Sequence, residues 1–182
     1  MPSTPLHSCF LALPLEGEAQ ETFKEIQKNL SPFAEVLRFQ NPLSAHLTLY
    51  FWEEVMAIEW KQILIHTERI ADRSAPFIIS VTGAETFGSY GRDRTLFLSV
   101  AFSEELARIK KMCPWPNVRP FTPHITLARI DHSEHFCIQK KRIMKTLKNT
   151  SFDITFDRLR LYAEIDGKKQ TPLQDFPFKR DP

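Results

Sequence analysis

Two short segments contain the residues best suited to chemistry. His46-Leu47-Thr48-Leu49 and His124-Ile125-Thr126-Leu127 repeat one pattern, histidine, aliphatic, threonine, leucine, 78 residues apart. With six histidines in the chain, such a tetrapeptide is expected only about 0.01 times by chance. In an extended strand residues i and i+2 share a face, so each imidazole stands beside its own hydroxyl while Leu47, Leu49, Ile125 and Leu127 point into a core. An imidazole with an ordinary pKa near 6.5 both takes and gives protons near neutral pH. Two of them converging on one cleft supply a base and an acid, and two hydroxyls can donate to oxygens on which charge develops. Such a set suits a phosphodiester that carries its own activation, such as a strained cyclic phosphate. A neutral imidazole takes a proton from water, and an imidazolium protonates the leaving oxygen. The scheme calls for no metal and no cofactor.

The elements that must position these residues are legible as short apolar runs. Ser8 to Leu13, Glu35 to Phe39, Ala45 to Phe51, Phe77 to Thr82, Thr95 to Phe102, His124 to Arg129, Phe152 to Phe156 and Arg158 to Ile165 read as strands. Between them run helical periods: Ala19, Phe23, Ile26 and Leu30; Met56, Trp60, Ile63, Leu64, Thr67 and Ile70; Leu106, Ile109 and Cys113; Phe136, Ile143 and Leu147. Ser103 before Glu104 and Glu105 reads as a helix cap, and Ser133 before Glu134 looks similar. The fold class is therefore α+β. Taken in order, the elements occur twice, with an internal repeat over roughly 8–90 and 94–165. This predicts one bilobal domain over 1–182, its two pseudo-symmetric lobes facing each other across a cleft. Four prolines between Pro114 and Pro123 make a stiff lead-in to the second motif.

Composition narrows the classes. Among 182 residues, 24 Lys and Arg against 22 Asp and Glu leave a net charge of +2, which gives no general pull toward polyanions, so any such partner must be held by a local cluster. Three cysteines without C-x-x-C spacing, Cys9, Cys113 and Cys137, argue against a disulfide framework or a structural zinc site, and a cytoplasmic setting is expected. The opening MPSTPLHSCFLALPLE reads as neither a signal peptide nor a membrane span. Five glycines leave no room for a glycine-rich phosphate loop, so phosphate must be bound by side chains.

With the motifs in hand, Pro120 to Arg129, PFTPHITLAR, together with Ser44 to Phe51, SAHLTLYF, resembles the RNA 2′,3′-cyclic phosphodiesterases, also called 2′-5′ RNA ligases, of the two-histidine phosphoesterase superfamily. The likeness follows the order of elements from about Ser8 to Ile165. It implies an antiparallel sheet in each lobe lining the cleft, with helices outside. It further implies hydrolysis of a 2′,3′-cyclic phosphate on RNA or a nucleoside to a 2′-phosphomonoester, with 2′-5′ ligation at the same site as the alternative. By the same resemblance His46 is the acid toward the 3′ oxygen, His124 the base that activates water, and Thr48, Thr126 and Arg129 hold phosphate oxygens. Strict alternation places Arg129 on the face opposite His124, so a bend or the strand end must re-aim it. The chain departs from the family pattern at Phe39, where tryptophan is usual, and at Phe51-Trp52-Glu53-Glu54, where a Phe-Leu-Gly run is typical.

Phe51, Tyr90 and Phe121 are candidates for stacking a terminal base, with Trp52 and Phe87 nearby in the sequence. Lys140, Lys141, Arg142, Lys145 and Lys148 form one basic helix, read first as a solvated face. Arg92, Arg94 and Arg119 are sparser basic residues. His132 and His135 read as a solvated helix terminus, since no third metal ligand is in sight. The expected partner is an RNA end or small cyclic nucleotide, with no DNA, no membrane and a monomeric chain. A nucleotide-binding module without turnover and a purely structural domain are the remaining alternatives.

Overall fold

The computed structural model describes residues 5–89, 92–116 and 120–179. Nine strands and four α-helices occur among them. The strands are β1 Leu6–Pro14, β2 Leu37–Phe39, β3 His46–Val55, β4 Phe77–Ser89, β5 Arg92–Val100, β6 His124–Ile130, β7 Phe152–Phe156, β8 Arg158–Ile165 and β9 Lys168–Pro177. The helices are α1 Gly17–Asn29, α2 Ala57–Asp72, α3 Glu104–Met112 and α4 Ser133–Thr146. Helical periodicity is answered by burial: Phe23 and Ile26 of α1, Trp60, Ile63 and Ile70 of α2, Leu106 and Ile109 of α3, and Phe136 and Ile143 of α4 all lie in the core. Fully burying a side chain of this size is worth about 1.5–3 kcal/mol, which sets each helix on the sheet. Met56, included in the α2 period, instead precedes the helix and is exposed.

All strand pairings are antiparallel, in the order β7-β4-β5-β6-β3-β1-β8-β9, with β2 also on β6. The sheet does not divide where the sequence repeat divides. β4, from the first half, pairs with β5 and β7, while β8 and β9 extend the sheet beyond β1. One lobe is thus β3-β1-β8-β9 and the other β6-β5-β4-β7, each assembled from both halves of the chain, and the β3–β6 seam joins them.

Local sequence accounts for several boundaries. Ser103 caps α3 as expected, its Oγ accepting from the Leu106 N–H at 3.1 Å. Ser133 does not cap α4: the N-cap is His132, and the Ser133 hydroxyl donates to the Asp93 carbonyl at 2.9 Å, tying the helix to β5. β9 has no counterpart among the apolar runs of the sequence, because Lys168-Lys169-Gln170-Thr171-Pro172 is polar and contains a proline. As an edge strand it tolerates that proline. Its hairpin with β8 turns on Asp166-Gly167, both at positive φ, with Ile165 paired to Lys168.

Candidate active site

Leu47 pairs with Ile125 across the seam, flanked by Leu13 on β1 and Leu98 on β5, and all four side chains are fully buried. Antiparallel strands count in opposite senses. The pairing therefore brings His46 level with Thr126 and Thr48 level with His124, on the face opposite the leucines. All four of these residues remain partly exposed. Diagonal positions in such a square, here the two histidines, lie roughly 7–8 Å apart, a span that one phosphate can bridge. Beyond this point β6 changes partner from β3 to β2, and Gln40 N–H donates to the Leu127 carbonyl at 2.9 Å. The two motif strands thus diverge.

Each imidazole is oriented by the same local device. His46 Nδ1 lies 2.5 Å from the Ser44 carbonyl, and His124 Nδ1 lies 2.8 Å from the Thr122 carbonyl. A carbonyl only accepts, so Nδ1 carries the hydrogen in both rings and Nε2 is left for a ligand. Aromatic rings brace each ring on its own side. Phe10 lies 4.6 Å from His46 between centroids, with Tyr162 at 5.4 Å and stacked on Phe10. Phe87 meets His124 edge-on at 4.8 Å, with Phe97 at 5.4 Å.

These neighbours change the acid–base properties expected from sequence. Burial pushes the His46 imidazole down to about 4, the Ser44 carbonyl opposes this, and a charge on His124 adds to the depression. His124 is also lowered, first by burial and further by the Arg129 guanidinium, against the Thr122 hydrogen bond. Neither ring keeps the ordinary value near 6.5 assumed from composition, and in the unliganded protein both are neutral at pH 7.

Arg129 reaches the histidine face through a β-bulge. On β5, Leu96 pairs with Ala128 but Phe97 pairs with Thr126, which leaves Leu127 as an extra residue on β6. The alternation is thereby reversed: Leu127, Ala128 and Ile130 are buried, whereas Arg129 is exposed on the side of His124 and Thr126. Gln27 of α1, itself buried, secures the bulge by donating to the Leu127 carbonyl at 3.1 Å and to the Gln40 carbonyl at 2.8 Å. The Arg129 Nη1 donates to Thr95 Oγ1 at 3.0 Å, and no carboxylate pairs with it among the described residues. Arg158 and Arg160, by contrast, are held by Glu16 and Asp175.

The remaining candidates separate. A matching bulge at Leu49 of β3 turns Phe51 toward Phe10, its register partner, and leaves its ring about half exposed, at 52%. Phe121 does not join them; its ring packs on the core beneath the Lys110 ammonium at 5.0 Å. Trp52 clusters with Tyr50 and Trp115. Tyr90 and Arg119 lie outside the described residues. In the basic helix, Lys140 is committed to Asp93 at 2.9 Å. No group of three or more potential metal ligands occurs among the described residues, nor is any of their helices long and apolar enough to cross a membrane. Sequence reasoning missed Phe10, Tyr162, Phe97 and Gln27, which come from four other elements. The carbonyl anchors two places before each histidine are backbone groups, which no side-chain type signals.

Comparison with known proteins shows the family and the fold. The family model described as the 2′-5′ RNA ligase superfamily matches residues 15–168. A protein of Geobacillus stearothermophilus named RNA 2′,3′-cyclic phosphodiesterase is 29% identical over 128 residues, covering 66% of this chain and 41% of that protein. One of the same name from Aquifex aeolicus (strain VF5) is 26% identical over 103 residues, covering 51% of this chain and 55% of the relative. The chain thus spans about half the length of the curated relatives it matches. In structure it is similar to TT0787 of Thermus thermophilus, with a TM-score of 0.74 and 23% identity over 94% of this chain and 97% of that one.

Proposed function

The chain belongs to the 2′-5′ RNA ligase superfamily, and on that footing we propose that it hydrolyses a 2′,3′-cyclic phosphate at the end of RNA or on a nucleoside, leaving a 2′-phosphomonoester. The observation that carries this reading is the square of two histidines and two threonines across the Leu47–Ile125 pairing, with both Nε2 atoms unclaimed among the described residues and Arg129 turned to the same face. The phosphate seats between the imidazoles, where Thr48, Thr126 and Arg129 donate to its non-bridging oxygens. His124 Nε2 takes a proton from water as the water oxygen bonds to phosphorus. The P–O3′ bond breaks, and His46 returns a proton to O3′ from its own Nε2. An anion between the rings favours their charged forms, so binding raises His46 from its low free value and loads the acid. Proton transfers of this kind are worth about 10²–10⁴ in rate each. The scheme assigns no step to a metal.

The test is incubation of the protein with an oligonucleotide ending in a 2′,3′-cyclic phosphate in the presence of EDTA. A 2′-phosphate product, abolished in His46→Ala/His124→Ala, is expected. Absence of product, or full activity in the double variant, overturns the reading. Adding a second RNA with a 5′-hydroxyl end tests whether the same site runs in reverse to form a 2′-5′ linkage.

A further inference from the structure

At the far end of β6 from His124, a surface depression of about 420 Å³ is lined by Arg92 and Arg94 of β5 and by His132, Ser133, Glu134 and His135 around the start of α4. Two of the six lining residues are arginines and two are histidines. Neither arginine takes part in an ion pair among the described residues, and both are exposed. The acids next to the depression are already engaged: Asp93 holds Lys140 at 2.9 Å, and Asp131 lies 3.4 Å from Arg38. Glu134 is the remaining carboxylate on its wall. The start of the 14-residue α4, where the N-cap His132 makes no side-chain cap hydrogen bond, adds free N–H groups and the positive end of the helix dipole, which favour an anion. Along β6 and its β5 partner, Arg129 lies between His124 and the depression, its Nη1 on the hydroxyl of Thr95, the residue after Arg94. β6 spans roughly 20 Å at about 3.3 Å per residue, several nucleotides of chain.

We propose that this depression is a second phosphate subsite, which grips a backbone phosphate of the RNA several nucleotides upstream of its cyclic end. The inference rests on the cyclic-phosphate reading of the His46–His124 site and deepens it by naming the preferred substrate as an oligonucleotide over a mononucleotide. A single anchored phosphate is also the form of recognition that a near-neutral chain can offer, since one local cluster suffices where net charge does not.

The experiment measures kcat/KM for 2′,3′-cyclic-phosphate substrates from one to about eight nucleotides, with the wild type and with Arg92→Gln/Arg94→Gln. It is paired with fluorescence-anisotropy binding of 3′-phosphorylated RNAs of the same lengths. In the wild type, kcat/KM and affinity rise about tenfold at the length that reaches the depression. In the double variant the ratio of long to short substrate falls toward one, and the salt dependence of binding to long RNA becomes shallower by about one phosphate contact. A wild-type profile flat in length, or a variant that weakens short and long substrates equally, overturns the subsite. Should no substrate of any length be hydrolysed, the cyclic-phosphate reading falls while the anisotropy comparison still decides the subsite.

Discussion

Leu47 and Ile125 meet as the paired residues that join the two lobes, and both are excluded from solvent. Their contact fixes the register of the motif strands. A slip of one residue would turn a histidine and its threonine into the core on one strand. The apolar partners thus specify the histidine–threonine square as surely as the histidines occupy it.

On the proposed mechanism, truncating either histidine removes one proton transfer. His124→Ala and His46→Ala are each expected to lower kcat on a cyclic-phosphate substrate by about 10²–10⁴-fold, with the double variant little worse than the weaker single one, because the pair acts as a unit. Single-turnover rates measure this.

The pH profile should lie on the acid side of that of free imidazole. With His46 near 4 and His124 also lowered, the free protein holds the acid protonated and the base neutral only below the ordinary 6.5. The maximum of kcat/KM is therefore expected below pH 6.5, and that of kcat, which reports the phosphate-bound form, further toward alkali.

Stability carries the same signature. His46 has a folded pKa below its unfolded value near 6.5, so the unfolded chain binds the proton more readily. Its contribution to stability is present above pH 6.5 and is lost as pH falls toward 4. Thermal melts should show Tm declining across that window, less steeply in His46→Gln.

Phe10 excludes water from His46. Phe10→Ala is expected to move the His46 pKa up toward 6.5, as read by NMR titration of the ring proton, while costing about 3–5 kcal/mol in unfolding free energy. An unchanged pKa would mean that Tyr162 and the strand backbone alone desolvate the ring.

Gln27 supports the bulge that aims Arg129. Gln27→Leu leaves the Leu127 carbonyl with one donor fewer and should cost about 1–3 kcal/mol. It should raise KM more than it lowers kcat, in parallel with Arg129→Ala. Denaturant titration alongside steady-state kinetics separates the two effects.

Much of the fold was written in local pattern. The i, i+2 spacing of histidine and threonine, the alternation along β1, β3 and β6, and the Ser103 cap all act between residues close in the chain. Their outcome was therefore readable without knowing what lay opposite. β9 escaped because an edge strand need not be apolar, and the exchange of β4 and β8 between lobes escaped because strand partners are chosen by long-range packing.

That two imidazole–hydroxyl pairs stand on strand faces away from a leucine core follows from residue order, since alternation is a property of one extended chain. That these faces adjoin, that Arg129 turns toward them and that His46 falls to about 4 follow from long-range packing. The bulge arises from a register mismatch between β5 and β6, and the depressed pKa from Phe10 and Tyr162, brought in from β1 and β8. Registry and desolvation depend on which distant residues pack against a group, and no spacing along the chain encodes that.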